Sequence, residues 1–203
     1  MKIFISIASY RDLELTKTIH SMINKSSGEN ELIFSVVSQD IPNKHPDLSF
    51  INNLHYKKIR YTDAKGAGYA RALAMKPYNN EEYFFQTDSH MRFADNWDKK
   101  MIDFHNQSIN ISGCNKIILS QFPAPFEVHT DGKDHYIIGD KDFWDEPSWT
   151  SVVNTWAGLW AGNREKIKDF SKPHKSHTLL AGYIFTTGNF VNEIPYDERI
   201  CFM

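Results

Sequence analysis

Along residues 1–120, short apolar runs and amphipathic stretches take turns. Lys2 to Ile7 is a β-branched and aromatic run closed by the polar turn Ser9-Tyr10-Arg11-Asp12, which predicts a buried first strand. Leu15, Ile19, Met22 and Ile23 then recur on one helical stripe that ends near Ser26-Ser27-Gly28. Leu32 to Val37 reads as a second buried strand, so the chain opens on a βαβ unit with a parallel pair and a right-handed crossover. Lys57 to Tyr61 predicts a short third strand, Tyr69 to Met75 a short helix before Pro77, and Tyr83 to Thr87 an aromatic fourth strand. Trp97, Met101, Phe104 and Ser108 share a face of a helix reaching about Ile109, and Lys116 to Ser120 is a further strand.

This alternation predicts an α/β fold, a Rossmann-like three-layer α/β/α sandwich around a mostly parallel central sheet. The pattern changes after Ser120. Residues 121–163 are rich in Pro, Asp, Gly and Trp, with short strand candidates at His135 to Gly139 and Ser151 to Leu159. Loops and antiparallel strands that shape an acceptor surface are expected there. The chain is expected to be one domain, with a nucleotide-binding half over 1–120 and an acceptor-side half over 121–203. The loop from Ser38 to His55, with Pro42 and Pro46, is long for a simple connection and reads as functional or mobile.

Composition narrows the function classes. A length of 203 residues with 41% hydrophobic content is enough for a full core. The net charge is −2 and the 23 basic residues are scattered, which argues against a groove for nucleic acid. Only Cys114 and Cys201 are present, too few for a disulfide framework and without zinc-knuckle spacing, so a reducing, cytoplasmic compartment is expected. The apolar start is too short for a signal sequence, and no run of about 18 apolar residues occurs, so no membrane span is expected.

The fourth strand runs straight into Asp88-Ser89-His90. That places a carboxylate and an imidazole at the carboxyl edge of a sheet, where open α/β folds bind their ligands. In extended chain, residues i and i+2 point the same way. An oxygen and a nitrogen donor suit Mn²⁺ or Zn²⁺ better than Ca²⁺, and two ligands leave positions open for phosphate oxygens. An Asp in such a place is also a common helix cap, and a lone His is commonly a hydrogen-bonded structural residue. The neighbours decide the weight of the motif.

Ser9, Tyr10 and Arg11 follow the first strand and offer a hydroxyl, a stacking ring and a planar fork for a nucleotide. The plainer alternative stands level with this: Asp12 caps the helix and Arg11 makes a surface ion pair. Asp63 precedes Gly66-Ala67-Gly68, with Arg71 one turn into the helix, so backbone amides and a guanidinium meet where a phosphate would sit. Two glycines before a helix also simply make a tight turn. The order is not Gly-x-Gly-x-x-Gly and no Lys-Ser/Thr follows, which argues against a dinucleotide cofactor and a P-loop. His174 and His177 are three apart like a zinc pair, but Pro173 precedes them and no Glu lies in the required place, so a surface loop is expected. No Gly-x-Ser-x-Gly elbow supports a serine hydrolase.

Ile5 through Asp12, Gly68-Tyr69-Ala70-Arg71, Gln86 through Phe93 with Trp97-Asp98, and Ala181-Gly182 through Pro195-Tyr196-Asp197 together resemble one family. It is the UDP-GlcNAc-dependent polypeptide N-acetylglucosaminyltransferases, including the enzyme that modifies hydroxyproline on Skp1 and the trypanosomal mucin-type enzymes. A more distant likeness is to the polypeptide GalNAc transferases. The resemblance implies a GT-A fold and metal-dependent, retaining transfer of GlcNAc from UDP-GlcNAc to a hydroxyl of a protein or glycan acceptor. It implies that Asp88 and His90 hold Mn²⁺ or another divalent cation, and that Ser9, Tyr10 and Arg11 line the uridine site. It further implies that Asp63 and Arg71 support the nucleotide, with Thr87 and Ser89 among its contacts, and that Gly182 lets backbone approach the sugar. In that family a Gly-Glu-Glu and a later histidine follow Pro-Tyr-Asp, whereas this chain stops at Met203, so it is expected to be truncated and to lack the third metal ligand. Other readings are a non-catalytic sugar-nucleotide or glycan-binding fragment and a nucleotidyltransferase, although the latter would carry a Gly-rich basic loop where Ser-Tyr-Arg-Asp stands.

Overall fold

The structure is a computed structural model that describes residues 1–120, 173, 175 and 179–201, together with the backbone of 126–128 and 134–136. The strands are β1 (Lys2–Tyr10), β2 (Glu31–Asp40), β3 (Leu54–Arg60), β4 (Tyr83–Asp88), β5 (Ile118–Ser120), β6 (Phe126–Val128), β7 (Asp134–Tyr136) and β8 (Tyr183–Thr187). The helices are α1 (Leu15–Lys25), α2 (Ala67–Met75), α3 (Trp97–Ser112) and α4 (Phe190–Glu193).

Six strands form one sheet in the order β3-β2-β1-β4-β8-β5. The first four are mutually parallel, and β8 runs antiparallel to both β4 and β5. This is the mixed α/β, mostly parallel sheet that the alternation predicts. Ile3, Ile5 and Ile7 of β1 face one side, and there they meet Leu15, Ile19 and Met22 of α1 and Trp97, Met101 and Phe104 of α3. Alternation along the strand sends Phe4 to the other side, with Ile33, Phe84, Ile184 and the α4 residues Phe190 and Val191. Ala70, Leu73 and Ala74 of α2 pack on that side against Val37. Each large core side chain contributes roughly 1.5–3 kcal/mol through burial, which is why these two apolar stripes fix the layers.

The predicted elements recur with shifted ends. β2 runs on to Asp40 and β3 begins at Leu54, so the connection between them is shorter than the sequence suggests. β3 is an edge strand whose exposed and half-buried positions include Lys57, Lys58 and Arg60, and it has no apolar run to mark its start. β8 has no counterpart in the periodicity reading. It is a five-residue run, buried over Tyr183 to Thr186, and too short to separate from a loop by pattern alone. β7 overlaps the candidate at His135 and pairs with β6 as an antiparallel hairpin apart from the main sheet. The candidate at Ser151 to Leu159 and the pair His174 and His177 lie outside the described residues.

Candidate functional site

The carboxyl ends of β1, β2 and β4 meet at one rim of the sheet. Register sets Ala8 beside Asp88 and Tyr10 beside Gln39. Because β8 is reversed, its incoming end lies at the same rim, and the Asp88 amide donates to the Gly182 carbonyl at 3.2 Å. A Cβ on Gly182 would lie 2.5 Å from Asp88 Oδ2, so only glycine leaves this carboxylate its present position. On the other side, Arg71 reaches from the first turns of α2 and its Nη2 donates to Asp88 Oδ1 at 3.1 Å. Gly66, at φ 95°, starts that helix in a conformation that suits glycine and turns Arg71 inward.

His90 lies just past β4, in a bend, so the two-residue strand period does not set its position. A clamp onto α1 does this instead. The fully buried Thr18 hydroxyl donates to the Ser89 carbonyl at 2.7 Å and accepts from the Met91 amide at 2.9 Å. Ser21 Oγ accepts from the Phe93 amide at 2.9 Å, and the Lys25 carbonyl accepts from the Asn96 amide at 2.7 Å. Arg92 is buried in this loop and forms an ion pair with Glu14, whose carboxyl is held low by Lys17 and Arg92 although burial opposes it.

Asp12 joins the clamp to the candidate ligand. One of its oxygens, Oδ1, accepts from the Glu14 amide at 2.9 Å, which tightens the turn ahead of α1 without capping the helix itself. The other, Oδ2, accepts from Ser89 Oγ at 2.6 Å and lies 2.8 Å from His90 Nδ1. The hydrogen bond from His90 above all holds the Asp12 carboxyl well below the usual range, at about 2, with Ser89 and the Glu14 amide assisting against burial. The same bond raises His90 above its ordinary value, and the charges of Asp12 and Asp88 add to this.

The other candidates are placed as follows. Arg11 has a positive φ of 49°, its amide donates to the Gln39 carbonyl at 3.0 Å, and its guanidinium lies 5.2 Å from the centre of the Tyr61 ring. Among the described residues it makes no ion pair, so the surface-pair alternative does not describe it. Ser9 and Thr87 are buried, Tyr10 is half exposed, and Asp63 is exposed in a 3₁₀ turn next to the Gly66 start of α2. Ser89 turns its hydroxyl to Asp12.

Sequence reasoning did not find the support behind the rim. Gln86 Nε2 donates to the Ala181 carbonyl at 2.5 Å and to Tyr196 Oη at 3.0 Å, which ties the Pro195-Tyr196-Asp197 segment to β4. The buried Asp98 accepts from the Ser27 amide and hydroxyl, each at 2.7 Å, and from Asn30 at 2.8 Å, so it anchors α3 and takes no part in the site. A polar residue inside an apolar strand, as Gln86 is, was the available signal for the first of these. A cleft of about 560 Å³ lies at the opposite end of the sheet, lined by Glu31, Leu54, Pro77 and Glu81 among others, away from the converging groups.

Asp88 and His90 offer an oxygen and a nitrogen donor, a set that fits Mn²⁺. Among the described residues no three His, Cys, Asp or Glu side chains converge as a metal cage, so these supply two positions only. The Arg71 contact already brings positive charge to Asp88, and His90 Nε2 makes no hydrogen bond among the described residues.

A mostly parallel six-stranded sheet with this rim has the GT-A glycosyltransferase architecture. Over its whole length the chain is similar in fold to GalNAc-T7 with UDP, GalNAc and Mn²⁺, at 12% identity, a TM-score of 0.58 and 38% of that chain. S. aureus TarS 1-349 in complex with UDP is similar over 98% of this chain and 51% of its own, at 16% identity and a TM-score of 0.53. The chain therefore spans about half or less of the solved structures it matches. No curated protein sequence matches it. The profile of the family described as Glycosyltransferase (GlcNAc) matches residues 2–55 and 43–203, and the chain belongs to that family. No helix among the described residues is long and apolar enough to cross a membrane.

Proposed function

We propose that this chain is the donor-binding domain of a metal-dependent, retaining transferase that moves GlcNAc from UDP-GlcNAc to a hydroxyl on a protein or glycan. The carrying observation is Asp88 at the carboxyl edge of the parallel strands, held by Arg71 with Gly182 closing against it, and His90 fixed two residues further on by Asp12. Membership of a GlcNAc glycosyltransferase family supports the sugar, and the hydroxyl acceptor rests on the motif resemblance to the Skp1-type and mucin-type enzymes.

In this reading Asp88 and His90 would hold the divalent cation, which would supply Lewis-acid neutralisation of a departing diphosphate. Arg71 orients the Asp88 carboxylate, and its planar fork suits phosphate oxygens at the same rim. Arg11, Ser9 and Tyr10 line the uridine side, with the Arg11 guanidinium over the Tyr61 ring, and Asp63 and the backbone ahead of α2 flank the nucleotide. Thr87 and Ser89, both buried, are the remaining nucleotide contacts in this reading. Residues 1–120 then form the nucleotide half and 121–203 the acceptor side.

Isotope-labelled UDP-GlcNAc incubated with Mn²⁺ and the protein tests the reading. Release of labelled GlcNAc that Asp88→Asn abolishes is the expected result. Tight Mn²⁺-dependent UDP binding without any release would make the chain a binding module, and absence of both would overturn the proposal.

A further inference from the structure

We propose that Asp12 is a positioning residue that fixes His90 as its Nδ1–H tautomer and presents Nε2 outward as the donor. The inference rests on the reading of Asp88 and His90 as the cation-holding pair. Its starting point is chemical: an ionised carboxylate can only accept hydrogen bonds, so the imidazole nitrogen 2.8 Å from Asp12 Oδ2 must carry the proton. In a neutral ring the lone pair is then on Nε2. The carboxylate cannot turn away from this task. Its two oxygens accept from the Glu14 amide at 2.9 Å and from Ser89 Oγ at 2.6 Å as well as facing His90.

Placement explains why the chain uses a residue so distant in sequence. Asp12 sits in the β1–α1 turn, and Thr18 of α1 grips the backbone on both sides of His90. The ring's position and its proton are therefore set by the same helix entrance. A carboxylate behind a ligating imidazole also raises the basicity of the ligating nitrogen, and losing such a partner typically weakens metal binding about 10–100-fold. Asp12 touches neither metal nor nucleotide in this arrangement. It acts through His90.

Two measurements on the full chain test this. Ring ¹⁵N spectra of labelled protein, at a pH where His90 is neutral, should show the Nδ1–H form in the wild type and a shift toward Nε2–H in Asp12→Ala. Mn²⁺ titrations in the presence of UDP, followed by electron paramagnetic resonance, should show a loss of about 10–100-fold for Asp12→Ala. Asp12→Ala placed on His90→Ala should add little further loss, because the first acts through the second. Asp12→Asn keeps the size of the side chain and serves if the alanine variant fails to fold. An unchanged tautomer and unchanged Mn²⁺ affinity, in variants where His90→Ala does weaken binding, would overturn the role of Asp12 alone. Wild-type affinity in His90→Ala would instead remove the metal reading beneath it. Fully additive losses would make Asp12 merely structural.

Discussion

His90 stands open at the rim, 61% exposed in its side chain and held at Nδ1 by Asp12, whereas His105 is sealed on the inner face of α3 at 1% exposure. Neither ring nitrogen of His105 makes a hydrogen bond of normal geometry, and its neighbours are the edges and faces of Tyr83 and Phe185. Burial pushes the His105 pKa down, and the Ile117 carbonyl recovers only part of that. One imidazole is thus open to a proton or, in the proposed reading, a cation, while burial favours the neutral form of the other as a packing element. The residue type is shared, and what surrounds it assigns the role. The same contrast holds for acid groups, since Asp88 faces outward to Arg71 while Asp98 is satisfied inside the fold.

The sharpest way to break the comparison is at Asp88. Asp88→Asn should lower Mn²⁺-dependent UDP affinity by at least about 100-fold, more than a supporting residue would cost, while thermal unfolding stays nearly unchanged. Calorimetric titration measures it, and unaltered affinity would place the cation elsewhere. Thr18→Val keeps shape but leaves the Ser89 carbonyl and the Met91 amide without their buried partner. We expect a loss of about 2–3 kcal/mol in denaturant unfolding, with weaker Mn²⁺ binding as the loop loosens.

The histidines themselves give pH tests of opposite sign. His105 has a lowered folded pKa, so the unfolded chain binds its proton first and stability is lost as pH falls below about 6.5. The slope from this group has a ceiling of about 1.4 kcal/mol per pH unit, and His105→Phe should flatten it. His90, with a raised folded pKa, contributes stability that is complete below about 6.5 and lost as pH rises through its folded value. Asp12, at about 2, contributes above the ordinary carboxylate value near 3.8 and loses it as pH falls toward 2. The pair is therefore most stabilising from about pH 4 to 6.5, yet its exposure limits it to less than about 1 kcal/mol. Melting curves of His90→Ala against pH should differ from the wild type only slightly, and a large difference would mean His90 is far more enclosed than the structure has it.

The layered fold was legible because long apolar strands and a striped α1 announce themselves by period, as Ile3, Ile5 and Ile7 beside Leu15, Ile19 and Met22 show. Asp88-Ser89-His90 was legible as a carboxylate and an imidazole near a strand end, and β4 ends at Asp88 with His90 in the bend beyond it. What period cannot carry is partnership across the chain. Asp12 read locally as a helix cap, because its bonds to Ser89 and His90 span 77 and 78 residues. β8 is short and its meaning depends on which strand it joins, so the close approach of Gly182 to Asp88 had no local signature.

That reversed strand has a consequence for how the rim comes into being. The parallel core can gather as the first half of the chain leaves the ribosome, but the Asp88 carboxylate gains its backstop only after residues beyond 180 have emerged and β8 has zipped onto β4. A nascent chain arrested before Gly182 would carry its acidic tip without the backbone that shapes it.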